Sequence, residues 1–343
     1  MFTRRTERFE YLLYDKEGVF KRSLKNVMSA EVSYSSLTRL KSSATITLTD
    51  FNDGIDFLND QVQINVYLDG VMSGLGRFLI SSPRRDISSG EVTRTCDCYS
   101  KLLILDEAKT ETRNVILAGT NIIAEVKRIL QNYGTYTILD NVGTTSTDRE
   151  WEIGTPMLTI VNDLLGTANY TSLRVDNVGN FVSNEYILPT DREIEINYTD
   201  DDSSIIYRDL SEDIDIFAVP NVIIRYTNDP DINPPLIAKY ENNSFDSPTS
   251  IISRGRRIVN AESVSDVADL QTLQDITKRV AYDLTDKYAH VEFSTAINPL
   301  HGYLTCLYLK CYDISSKMIE TSWRIECQTG GKMTHVCRRV IAI

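Results

Sequence analysis

Residues 290–343, HVEFSTAINPLHGYLTCLYLKCYDISSKMIETSWRIECQTGGKMTHVCRRVIAI, alternate apolar and polar side chains over most of their length. A period of two puts successive side chains on opposite faces of an extended chain, so this stretch is confined to strands with one buried face. Gly330 and Gly331 supply a turn within it. One amphipathic helix precedes it, at about 266–287, with Val267, Leu270, Leu273, Ile276, Val280 and Leu284 at helical spacing. No residue of the stretch stands in a catalytic motif.

The rest of the chain divides by pattern. Residues 1–105 read as five or six short strands with glycine turns. FEYLLYDKEGVFKR is a hairpin turning at Lys16-Glu17-Gly18, and Asp69-Gly70 turns a second pair. Gly74-Leu75-Gly76 reads as a further turn, and EVTRTCDCYSKLLIL closes the set. Together these predict a first small β-barrel. Residues 106–195 predict an α+β domain. One helix is capped by Thr120 and runs through Asn132, ahead of Gly134. A second starts at Thr155 with Pro156 in its first turn, and the hairpin LRVDNVGNFVS follows. Residues 196–245 return to strands, of which NVIIRYTND is the clearest, ended by NDPDINPP. With residues 286–343 they predict a second small β-barrel, interrupted by an inserted loop and helix over 246–285. The expected class is α+β, mainly β: two small barrels joined by α+β elements.

Charge narrows the function. The net charge is −12, and residues 106–215 alone hold 21 acidic against 8 basic side chains. Tight nucleic-acid binding needs a basic face and is not expected. The acidic third reads as a solvated surface, or as a wall past which DNA slides without sticking. No apolar run approaches membrane-spanning length. The opening MFTRRTERFEYLLYD lacks the apolar core of a secretory signal, so the standard export route is not expected. The six cysteines, Cys96, Cys98, Cys306, Cys311, Cys327 and Cys337, then read as free thiols in strands.

Chemistry-bearing groups are sparse. The three histidines, His290, His301 and His335, come with no zinc-binding pattern. Cys306 and Cys311 lie five apart on a strand and so point to opposite faces. Asp200-Asp201-Asp202 and Asp229-Pro230-Asp231 lack calcium-loop spacing. Glu150, Glu152 and Asp191 are the carboxylates from which a glycan-cleaving pair would be drawn. No nucleophile elbow, P-loop or dinucleotide fingerprint is present. No catalytic, metal or cofactor residue is therefore expected, and no cofactor. Trp323, in ETSWRIEC, is the one residue singled out, as a core anchor or a partner-facing anchor.

The order helix, VEFSTAINP, ETSW, GGKMTH and a closing basic strand resembles the C-terminal part of baseplate or tail hub proteins of contractile-tailed phages and phage-like particles, the PBSX type. FEYLLYD, TPMLTIVNDLLGTANYTSLRVDNVGNF and DIFAVPNVIIRYTND fall in the order that family implies. The resemblance implies a non-enzymatic homotrimer in which six barrels form a pseudo-sixfold ring between the hexameric tail tube and the threefold spike. Its expected partners are tube, spike, tape-measure and other baseplate proteins. It would be assembled in the bacterial cytoplasm and carried in the particle's tail. Two alternatives make different demands. A peptidoglycan-cleaving tail enzyme would lose activity on changing a carboxylate such as Glu152, and a receptor- or glycan-binding tail protein would display some of the 18 tyrosines.

Overall fold

The computed structural model describes residues 5–49, 54–88, 90–201, 204–213, 217–228, 234–264, 267, 269–284 and 290–340. Seven antiparallel strands come first: β1 (Glu7–Tyr14), β2 (Phe20–Ser23), β3 (Val27–Ser35), β4 (Ser42–Thr49), β5 (Gln61–Leu68), β6 (Val71–Ser88) and β7 (Glu91–Ser100). They lie side by side as β3-β4-β7-β6-β5-β1-β2. The alternation works as read: in β4, Ala44, Ile46 and Leu48 face the core and their neighbours face out. Asp69 and Gly70 both hold positive φ, 49° and 85°, the two-residue turn whose twist matches the strands it joins. Gly74-Leu75-Gly76 is not a turn. It lies inside β6, where the register against β5 slips between Ile64 and Asn65 and Gly76 takes φ 138°.

The middle segment contains α1 (Leu102–Glu107), β8 (Asn114–Ile116), α2 (Ile122–Leu130), β9 (Tyr136–Ile138), β10 (Arg149–Trp151), α3 (Met157–Thr167), β11 (Arg174–Val175) and β12 (Phe181–Ser183). The helix at Leu102 replaces the end of the expected closing strand. Its Leu102 and Leu105 are buried in one core with α2 and α3. Asn121, not Thr120, caps α2, its side chain accepting from the Ala124 N–H. Pro156 sits in extended backbone just ahead of α3.

The last segment contains β13 (Ile196–Thr199), β14 (Ile206–Asp213), β15 (Val222–Tyr226), β16 (Ile237–Glu241), α4 (Ile251–Arg254), β17 (Val259–Ser263), α5 (Leu270–Leu284), β18 (His290–Ala296), β19 (Cys306–Cys311), β20 (Ile314–Glu326) and β21 (Lys332–Arg339). The NVIIRYTND strand does not join the C-terminal strands as expected. It is β15, the centre of a separate sheet β16-β15-β17 on which α5 packs. The expected 246–285 insertion thus shares a small core with 222–241, built on Ala238, Val267 and Leu273. Part of the expected NDPDINPP break, residues 229–233, lies outside the described residues.

The C-terminal strands run β14-β18-β21-β20, with β19 and β13 paired on from β20. β20 also pairs with β3 over five residues, from Ser322 opposite Ser35 to Glu326 opposite Glu31. The two strand sets are therefore one 13-stranded sheet. Among the described residues it does not close into a barrel. The pairing runs from β14 to β2 and ends there. The first core is also not made by residues 1–105 alone. Ile297, Trp323, Ile325, Cys327 and Met333 are part of it. No described helix is long and apolar enough to cross a membrane.

Candidate functional site

The place where the two strand sets meet gathers most of the unusual chemistry. Trp323 lies opposite Tyr34 across the β3–β20 ladder, and the rings stack with centroids 5.6 Å apart and planes 16° from parallel. Trp323 is 7% exposed and packs in the first core. Its indole N–H and the Tyr34 hydroxyl are both buried without a partner. Burial drives the Tyr34 hydroxyl far above its ordinary pKa. A cleft of about 370 Å³ opens beside the pair, lined also by Arg77, Arg174, Asn177 and Tyr303. Arg174, from β11, lies over the Tyr303 ring at 5.0 Å and donates to Asn184 Oδ1 at 2.5 Å.

Behind Trp323 a buried polar node joins four strands and a loop. Glu320 of β20 is 1% exposed. Its Oε2 is 2.7 Å from His301 Nδ1 and its Oε1 is 2.6 Å from His335 Nδ1 on β21. His301 Nε2 is 2.7 Å from the Tyr198 hydroxyl of β13, to which Asn298 Nδ2 donates at 3.2 Å. His335 Nε2 is 2.8 Å from Thr295 Oγ1 of β18, which lies equally close to the Ala296 carbonyl. Burial alone would raise the Glu320 carboxyl, but the hydrogen bonds from the two imidazoles outweigh it and hold it below its ordinary value. Burial pushes the His335 imidazole down, against the pull of Glu320. Glu320 is thus an ionised carboxylate that accepts from the Nδ1–H groups of both imidazoles, with His335 held neutral.

His301, Glu320 and His335 are also the described residues whose donor atoms stand within 4.8 Å of one another, a set that a transition metal takes. Two ligands sharing a tetrahedral zinc ion stand about 3.3 Å apart. The spacings of 2.6 and 2.7 Å are those of hydrogen bonds instead. The arrangement ties β13, β18, β20 and β21 together.

The other residues weighed from sequence are dispersed. Arg113 pairs with both Glu150 and Glu152 at the surface, and Asp191 stands in the exposed turn after Leu188. Asp202, Asp229 and Asp231 lie outside the described residues. All six cysteines are buried free thiols. Cys306 and Cys311 fall in different apolar clusters, as opposite-facing positions must. Burial pushes the Cys96 thiol up to about 11 and that of Cys327 to about 12, so neither is a ready nucleophile. The buried node was missed. The available signal was Glu320 beside Met318 and Ile319, and His335 alternating with Met333 and Cys337, on the buried positions of their strands.

Solved structures share this architecture. The tail protein from Neisseria meningitidis MC58 superposes with a TM-score of 0.68 at 11% identity, over 97% of this chain and 96% of that one. The 43 kDa tail protein of prophage MuSo2 from Shewanella oneidensis gives 0.68 at 11%, over 97% and 98%. Prophage tail protein gp18 from Listeria monocytogenes EGD-e gives 0.58 at 13%, over 97% and 95%. No protein-family model and no curated protein matches the chain. At such identities the likeness is one of fold: end to end, this chain folds as those phage tail proteins do.

Proposed function

We propose that this chain is a structural hub subunit of a phage-type tail or baseplate, a homotrimer joining the hexameric tube to the threefold spike. The observation that carries the reading is the β3–β20 ladder, which fuses two strand sets into one sheet with β2 at one end and β14 at the other. Three copies would bring six such sets into one ring, so the same subunit would present sixfold-like and threefold faces. In this reading the repeating units are the strand set of residues 7–100 and that of 196–213 with 290–339. The near-complete coverage of the phage tail proteins, in both directions, supports it. A non-catalytic role is favoured by the Arg113 clamp on Glu150 and Glu152 and by a node whose polar atoms are all turned toward one another. The subunit would assemble in the bacterial cytoplasm and travel in the particle's tail.

The test is the mass of the purified protein in solution, alone and mixed with tube and spike proteins of the same particle. A trimer, alone or formed on mixing, is the expected result. A monomer that ignores both partners would overturn the proposal, and turnover of purified peptidoglycan would replace it with a hydrolase.

A further inference from the structure

A second cleft, of about 700 Å³, also borders the Tyr34–Trp323 pair, where β21, β20, β3 and β4 run together. Its wall holds an anomaly of charge and one of backbone on the same residue. Lys41 is 7% exposed, yet its Nζ has a single partner, the Ser36 carbonyl at 2.5 Å within its own turn. No carboxylate among the described residues pairs with it, whereas the neighbouring cations are taken: Arg39 by Asp106 and Arg324 by Glu31. A buried ammonium without a counter-ion is costly. Lys41 also holds φ 63°, a left-handed backbone that a lysine adopts only when its surroundings impose it. That turn is fastened from both sides, by Ser35 N–H to the Lys41 carbonyl and by Ser36 to the Thr321 carbonyl. The fold thus fixes an ammonium without a carboxylate partner on a residue that lines a cleft, beside the short hydroxyls of Ser42, Ser43, Ser322 and Thr334.

We propose that Lys41 anchors a carboxylate-binding site in this cleft, one that takes the acidic side chain or terminal carboxylate of an extended peptide segment of a partner. One unpaired positive charge matches one carboxylate, and the hydroxyls offer the remaining hydrogen bonds. A cleft of this volume is in the range that holds a few residues. The charged groups facing Lys41 are Arg279 behind it and Arg39, Arg324 and Glu292 along the cleft. Burial, with Arg279 adding to it, lowers the ammonium to about 8. A bound carboxylate would reverse that shift.

The test uses amine acetylation of the intact wild-type protein, read by mass spectrometry at Lys41 and at the exposed Lys16 and Lys310. Succinate, and a short peptide with a free carboxyl terminus, are expected to slow acetylation of Lys41 at least tenfold and to leave the other two unchanged. The same peptide amidated, and carrying one glutamate, distinguishes side-chain from terminal recognition. Protection by either peptide supports the site. Protection no greater than that from chloride at equal ionic strength overturns it, as does equal protection by inorganic phosphate. A saturable rise in melting temperature with succinate should vanish in K41M. Its persistence in a folded K41M protein would also overturn the site.

Discussion

Glu320 faces two imidazoles, and changing it to glutamine would set an amide NH2 against one Nδ1–H. Glu320→Gln is expected to cost about 3 kcal/mol, seen as a lower denaturation midpoint with an unchanged slope. The pH dependence follows from the same node. His335 is held neutral in the fold, so below its ordinary value of 6.5 the unfolded chain takes up a proton that the folded chain resists. Glu320 is held ionised, so below its ordinary 4.5 the unfolded chain again binds the extra proton. Stability should therefore fall as pH drops from about 7 towards 4, His335 acting first. A melting temperature flat across that range would contradict the neutral-imidazole arrangement. Trp323 separates packing from partner contact. Trp323→Phe keeps a ring on Tyr34 and removes an N–H that has no partner, so it should change stability by less than about 1 kcal/mol, whereas Trp323→Ala should cost about 4 kcal/mol. If Trp323→Phe leaves stability intact but weakens assembly, the residue touches a partner. The tryptophan was legible in sequence as a bulky ring in an alternating strand. The node was not, because Tyr198, His301, Glu320 and His335 are brought together only by strand register.

At the scale of elements, alternation and helical spacing located most strands and helices but not their partners. β15 reads as a strand from NVIIRYTND alone. Its parallel neighbour β17 does not, because VNAES is exposed along nearly its whole length and carries no buried alternation. The segment that crosses between them therefore passed for a plain connection, and β15 was assigned to the wrong sheet. Caps were legible to within a residue: Asn121 rather than Thr120 satisfies the first turn of α2 because its carboxamide oxygen reaches the Ala124 N–H at 2.8 Å. Asn121→Ala should cost about 1 kcal/mol, measured by chemical denaturation. The small sheet under α5 has few fully buried apolar residues, so Leu273→Ala should remove about 3 kcal/mol from a core with little in reserve. Hydrogen exchange is then expected to rise in β15, β16 and α5 before it rises elsewhere.

At the scale of the molecule, two small barrels were expected, and their strand sets were found joined in one sheet. Each strand announces a buried face, but nothing in a single sequence says that β20 will be shared between β21 and β3. The consequence is testable on a fragment: residues 1–105 lack Ile297, Trp323, Ile325, Cys327 and Met333, and so leave their core uncovered. Such a fragment should show no cooperative melting transition by circular dichroism. The shared strand also decides how the molecule bears force. A push or pull passing from the first strand set to the C-terminal one crosses the five-pair β3–β20 ladder, the pairing that joins the two sets. Force along the strands loads all five of its residue pairs together, so the ladder resists as a block, while force across them opens it pair by pair from one end. The stacked Tyr34 and Trp323 sit within that ladder and act as a dowel through it. The junction between the two strand sets is stiff along its strands and gives way by peeling, from Ser35 and Ser322 or from Glu31 and Glu326.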